Sequence, residues 1–164
     1  MIAENYSWRT GRSYIYKNYF HLVFVTKYRR DVFTKEILAR LSEIFKETCM
    51  QMDAELLEFN GEHDHVHLLV SVPPKISIAI LTGKLKGKSS YFVRKEFWYQ
   101  IKTKLWGKHL WSPSYCSVTC GGAPLEIIKK YIDDQRMPSS EKGVAQSIRE
   151  RKITTHENSK KNRA

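Results

Sequence analysis

The chain has 164 residues, 41% of them hydrophobic and 12% aromatic, and its 28 Lys and Arg outnumber 17 Asp and Glu for a formal charge of +11. That length suits one ordinary domain with its own core, while three scattered cysteines (Cys49, Cys116, Cys120) without CxxC spacing argue against a disulfide framework or a thiolate zinc site. A basic excess of this size on a small globular chain points to a polyanionic partner, with nucleic acid as the first candidate.

The first twelve residues show only a basic and aromatic bias. From Tyr14 the chain is rich in aromatic and β-branched types, and a first strand is expected over 19–26. It ends in Lys27-Tyr28-Arg29-Arg30, a basic turn around one aromatic, a mixture suited to a phosphate backbone and a stacked base. Thr34 can cap a helix in which Ile37, Leu41, Ile44, Phe45, Thr48 and Met52 recur at three- and four-residue spacing. A second strand is expected over 54–60, with Asn60-Gly61 as a hairpin-type turn signal or the start of a longer loop up to Asp64.

The stretch His65-Val66-His67-Leu68-Leu69-Val70-Ser71-Val72 reads as a buried strand stopped by Pro73-Pro74. Alternation puts His65 and His67 on one face, about 7 Å apart, with Val66 and Leu68 on the other. Two imidazoles so placed can reach one divalent metal. His63, two residues earlier, reads as a turn residue.

After the prolines, Ser77 opens a helical segment running to Tyr91, and a further helix is expected over 94–105. Gly83 and Gly87 leave a smooth patch flanked by Lys84 and Lys88, where a phosphodiester backbone can approach. Residues 115–120 alternate as a last strand. Gly121-Gly122-Ala123-Pro124 breaks the chain, and Pro124 begins a sided helix on which Tyr131 and Gln135, four apart, point the same way. Beyond Met137-Pro138 hydrophobic residues nearly vanish, so a domain over 1–137 and a basic, flexible tail over 138–164 are expected. Strands interleaved with helices suggest an α+β sandwich of the split βαβ, ferredoxin-like or RRM-like kind, with an antiparallel sheet and helices on one face. With no apolar run long enough for a bilayer and no signal-peptide pattern in the first residues, a cytoplasmic protein without a membrane partner is expected.

Two segments carry a resemblance. His65-Val66-His67 is similar to the His-hydrophobic-His motif of the HUH nucleases. Tyr131 and Gln135 on a helix after the glycine break resemble the nucleophile helix of the single-tyrosine transposases of the insertion-sequence two-hundred/six-hundred-and-five group. The Lys27–Arg30 turn, Lys86-Gly87-Lys88-Ser89-Ser90 and Leu110-Trp111-Ser112-Pro113-Ser114-Tyr115 follow that family in order and spacing, so the likeness covers residues 14–137.

The resemblance implies an HUH nuclease fold with His65, His67 and Gln135 as ligands for Mg²⁺ or Mn²⁺ and Tyr131 as nucleophile. Lys27, Tyr28, Arg29, Arg30, Lys84 and Lys88 would contact DNA. It further implies hairpin-bearing single-stranded DNA as substrate, nucleoid association when DNA is bound, and a homodimer in which the Tyr131 helix can serve the partner's metal site, with Gly121-Gly122 as hinge. Two other readings stay open on the residues themselves. One is a zinc-dependent hydrolase using His63, His65 and His67, with His21 as a further candidate ligand. The other is a non-catalytic module that binds single-stranded nucleic acid. A domesticated relative that processes genomic palindromes is not separable from a mobile-element enzyme by sequence.

Overall fold

The computed structural model describes residues 8–119. A small ribbon, β1 (Arg9–Thr10) paired with β2 (Ile15–Tyr16), precedes a four-stranded sheet of β3 (Tyr19–Val25), β4 (Glu55–Gly61), β5 (His65–Ser71) and β6 (Cys116–Thr119). Helix α1 (Lys35–Gln51) follows β3, and α2 (Ile78–Ile101) follows β5. The strands lie in the order β4-β5-β3-β6, every neighbouring pair antiparallel. A β-α-β-β-α-β chain with its first strand inside the sheet is the split βαβ arrangement that the sequence implied. Among the described residues no helix is long and apolar enough to cross a membrane.

Helix α1 starts where Thr34 accepts a hydrogen bond from the Ile37 N–H at 3.3 Å, satisfying one of the four N–H groups a helix start leaves over. It buries Ile37, Leu41, Ile44, Phe45, Thr48 and Cys49. Burial pushes the Cys49 thiol up to about 12, so the side chain serves packing and stays protonated. The helix ends in a Schellman motif: the Ala54 N–H donates to Cys49 O at 2.9 Å and the Asp53 N–H to Met50 O at 3.2 Å. Asp53 takes the left-handed position (φ 55°) that glycine usually fills, one of the few side chains that tolerate it.

The core lies between the helices and one sheet face. Leu22 and Phe24 of β3 and Val66, Leu68 and Val70 of β5 meet Leu41, Phe45, Leu81, Leu85 and Val93 of the helices there. Alternation therefore turns His21, His65 and His67 to the other face, as expected for the histidine pair.

Two expectations are corrected. Gly61 does not begin a hairpin turn; it pairs with Val66 inside β4, and the connection is Glu62–Asp64. A Cβ at Gly61 would collide with the Leu38 side chain of α1, so close helix approach explains the glycine. The expected helix pair after Ser77 is one helix. Leu81, Leu85, Ser89, Val93, Phe97 and Ile101 form a buried row at every fourth residue, passing straight through the expected break. Ser77 caps its start by accepting from the Ile80 N–H at 3.1 Å. Only Phe97 departs from helical angles (φ −120°, ψ 19°). Gly83 and Gly87 face open space, where their low helix propensity is outweighed by the packed face.

α2 also fixes the segment entering β6. Trp111 Nε1 donates to Ser89 Oγ at 2.9 Å. Lys86 Nζ donates to the carbonyls of Ser112 and Ser114 at 2.8 and 2.6 Å and lies 5.4 Å from the Phe24 ring centre. Burial pushes the Lys86 pKa down to about 8, whereas in the unfolded chain it sits near about 10.4. Between those values the unfolded chain holds more protons, so this group makes stability rise with pH. Lys86→Met removes the donor to both carbonyls and should cost about 1–3 kcal/mol at pH 7. In urea titrations wild type should gain further on the variant from about pH 8 to 10; parallel curves over that window would contradict the assignment.

The expected Tyr131 and Gln135 helix, the Gly121-Gly122 break, Cys120 and the tail over 138–164 lie outside the described residues.

Candidate active site on the histidine strand

β5 pairs with β3 so that His67 stands opposite Val23 and His65 opposite Val25. Both rings are half-buried on the face turned from the helices. His21, on the same face of β3, brings its Nδ1 to 2.9 Å from His67 Nε2, with ring centres 4.9 Å apart. Burial, together with the nearby His21 and His65, holds the His67 pKa below the ordinary imidazole range. A neutral ring keeps a lone pair that a metal can use. A cation taken at His67 Nε2 has to replace the His21 hydrogen bond, which leaves His21 beside the pair.

His65 is oriented from behind. Its Nδ1 lies 2.8 Å from Asp64 Oδ1, and a carboxylate can only accept, so the tautomer this contact selects for the neutral ring has its proton on Nδ1 and its lone pair on Nε2. A carboxylate on the far nitrogen is the usual means of aiming a metal-binding histidine. Asp64 is in turn held by Arg29, whose Nε and Nη2 reach Asp64 Oδ2 at 2.9 and 2.7 Å, both side chains less than 10% exposed. Burial alone would raise the Asp64 carboxyl, but hydrogen bonds from His65 and Arg29 and the Arg29 charge outweigh it and hold it below the usual carboxylate range. His65 and His67 thus present two half-buried imidazoles on one sheet face, the first backed by Asp64.

The turn after β3 makes this possible. Lys27–Arg29 forms a short 3-10 turn in which Tyr28 (φ 58°) and Arg29 (φ 53°) are both left-handed. Two consecutive non-glycine residues in that region store strain of about 1–2 kcal/mol each. The buried Thr26 hydroxyl anchors the turn by donating to Arg30 O at 2.8 Å, and the Thr26 N–H donates to Asp64 O at 2.9 Å. The result sends Arg29 inward to Asp64 while Tyr28 stays outside, 54% exposed.

The residues expected to contact DNA are therefore not equivalent. Arg29 is committed to Asp64, a structural role that its place in a basic run conceals. Lys27, Tyr28 and the exposed Arg30 stand at the His65 end of the sheet. Lys84 and Lys88 lie on α2, in the helix layer across the sheet from the histidines, and Lys88 hydrogen bonds to Gln51. His63 is exposed in the turn before β5, its Nε2 3.3 Å from Asp31 Oδ1. Asp31, His63 and Asp64 bring ligand atoms within 4.8 Å of one another and so form another group able to hold a metal, although Asp64 is already engaged by Arg29 and His65. Sequence reasoning missed Asp64; its place directly before the first histidine of the motif was the available signal.

The family described as "Transposase IS200 like" matches residues 14–135. The chain belongs to the IS200-like transposase family. Among IS200-like transposases it is 37% identical over 129 residues to the ISDra2 transposase TnpA of Deinococcus radiodurans, covering 77% of this chain and 90% of that one. It is 32% identical over 121 residues to the transposase for insertion sequence element IS200 of Salmonella typhimurium, covering 72% and 79%. A crystal structure of a transposase from Deinococcus radiodurans superposes with a TM-score of 0.71 at 34% identity, over 77% of this chain and 97% of the other. As an IS200-like transposase the chain is an enzyme of DNA cleavage and joining, and the family match takes in His65, His67, Tyr131 and Gln135.

Proposed function

We propose that this transposase cleaves and rejoins single-stranded DNA at hairpin-bearing element ends through a 5′-phosphotyrosine on Tyr131, with Mg²⁺ or Mn²⁺ held by His65, His67 and Gln135. The observation that carries the reading is the His65–His67 pair, with Nε2 of His65 aimed by the buried Asp64–Arg29 pair, in a chain whose family match runs on through Tyr131 and Gln135. A divalent ion held by His65, His67 and Gln135 would supply Lewis-acid chemistry toward a phosphate oxygen and the leaving 3′-oxygen.

The protein's own groups do the rest. A phenol with a pKa near about 10 is mostly protonated at neutral pH, and a neighbouring cation raises its phenolate share. The Tyr131 oxygen attacks phosphorus, forming the O–P bond as the P–O3′ bond breaks. The 3′-oxygen takes a proton and leaves as a hydroxyl. The phosphodiester's energy is kept in the tyrosyl ester, so the reverse attack by a 3′-hydroxyl rejoins strands without ATP. Asp64 holds His65 in one tautomer and orientation throughout. A homodimer in which the Tyr131 helix serves the partner's histidines is part of the proposal.

The test is incubation of the purified full chain with labelled, hairpin-forming single-stranded DNA taken from the sequence flanking its gene, with Mg²⁺ or Mn²⁺, followed by a denaturing gel. A covalent protein–DNA band that disappears on chelation is expected. Cleavage without a band would point to a metal-activated water. Binding without cleavage would reduce the protein to a nucleic-acid-binding module.

A further inference from the structure

Beside the histidine strand lies an aromatic surface that the catalytic reading does not use. Trp106 and His109 close a tight turn, bridged antiparallel, with Gly107 at φ 61° between them. Their rings stack at 5.7 Å with planes 24° apart. Tyr28 meets Trp106 edge-on at 5.7 Å. Lys27 Nζ stands 5.1 Å from the Tyr28 ring centre and 6.0 Å from that of Trp106. Tyr28 and Trp106 are 54% and 52% exposed, although tryptophan is on average a highly buried residue.

This cluster is built in place. The Lys27 N–H donates to Leu110 O at 2.9 Å, and Thr26 bridges Trp111, so the backbone ties the Trp106 turn to the Lys27–Arg29 turn. The left-handed backbone of Tyr28 holds its ring outside. Its position follows from the register: Val25 pairs with His65, so Lys27 begins two residues, about 7 Å, beyond that pair. Half-exposed rings beside Lys27, with Lys108 inside the Trp106–His109 turn, combine a π-face for any base with cations for its phosphates, the combination that binds single strands without reading sequence.

We infer that Tyr28, Trp106 and His109 form a stacking platform for an unpaired base of single-stranded DNA entering or leaving the histidine site, with Lys27 and Lys108 on the adjoining phosphates. The inference rests on the proposed single-stranded substrate and adds a binding subsite to it. A platform of this kind holds the strand by its base faces, so its contribution is insensitive to salt, unlike the lysine contacts.

The experiment is fluorescence anisotropy with the full chain in chelating buffer, where no cleavage occurs, using oligothymidylate and an abasic strand of equal length. Wild type should bind the base-bearing strand about tenfold more tightly than the abasic one. Trp106→Ala should lose about tenfold on the base-bearing strand and nothing on the abasic strand, with an unchanged salt slope, and Trp106→Phe should recover most of the loss. Equal affinity of wild type for both strands, or an equal loss by Trp106→Ala on both, would overturn the platform. So would a base-dependent loss seen with RNA but not with DNA. The readout needs neither metal nor Tyr131, so a failed adduct assay with a positive result here would remove the cleavage reading and leave the platform standing.

Discussion

Tyr131→Phe should give no covalent protein–DNA band and lower strand cleavage by at least about 10⁴-fold, the scale on which losing a covalent nucleophile acts. The substitution deletes one oxygen and little else, so hairpin binding measured in chelating buffer should match wild type. That split between intact binding and absent chemistry is what separates a nucleophile from a packing tyrosine. Cleavage that persists in Tyr131→Phe would reject the phosphotyrosine route. The same variant tests how the sites are composed. Mixed with a His65→Ala chain, it should regain part of the cleavage if the Tyr131 helix of one subunit serves the histidines of the other. Failure to regain any would mean that each subunit works with its own tyrosine.

Arg29→Ala should destabilise the fold by about 3–5 kcal/mol, because it leaves the Asp64 carboxylate buried without its ion-pair partner. Both side chains are less than 10% exposed and their atoms are 2.7 Å apart, so the bare carboxylate is left largely shielded from bulk solvent. Surface substitutions in the same basic run, such as Arg30→Ala, should change stability little. The double variant Arg29→Met/Asp64→Leu removes both charges and should recover most of the lost stability. It should still need 10–100-fold more Mg²⁺ or Mn²⁺ for half-maximal cleavage, the usual scale for losing the carboxylate behind a metal-binding histidine. A double variant with wild-type metal dependence would show that Asp64 and Arg29 serve only the fold. One with neither stability nor activity would show the reverse error, that the pair cannot be replaced by apolar packing.

The sequence by itself determined the elements whose signals are local. Thr34 and Ser77 announced the starts of α1 and α2 because a capping side chain acts on an N–H three residues away. Alternation in β5 placed His65 and His67 on one face because a strand has period two. The order of those elements was enough for the split βαβ architecture, and the His65-Val66-His67 and Tyr131/Gln135 motifs carried the family resemblance. Gly61 misled because a glycine is ambiguous along the chain: its meaning depends on whether a neighbour such as Leu38 crowds the missing Cβ, as here, or whether open space lies there, as at Gly83 and Gly87.

Only the tertiary structure decided which residues act together. Arg29 and Asp64 are 35 positions apart and His21 and His67 are 46, and no periodicity joins groups across such separations. Arg29 looked like one more cation in a basic run until the left-handed turn sent it inward, and nothing local to Trp106 pointed to Tyr28 until the Gly107 turn set the two rings side by side. Local propensity is written in neighbouring residues. Charge pairing, imidazole orientation and an exposed aromatic surface depend on which strands and turns meet, and that is settled only when the sheet closes.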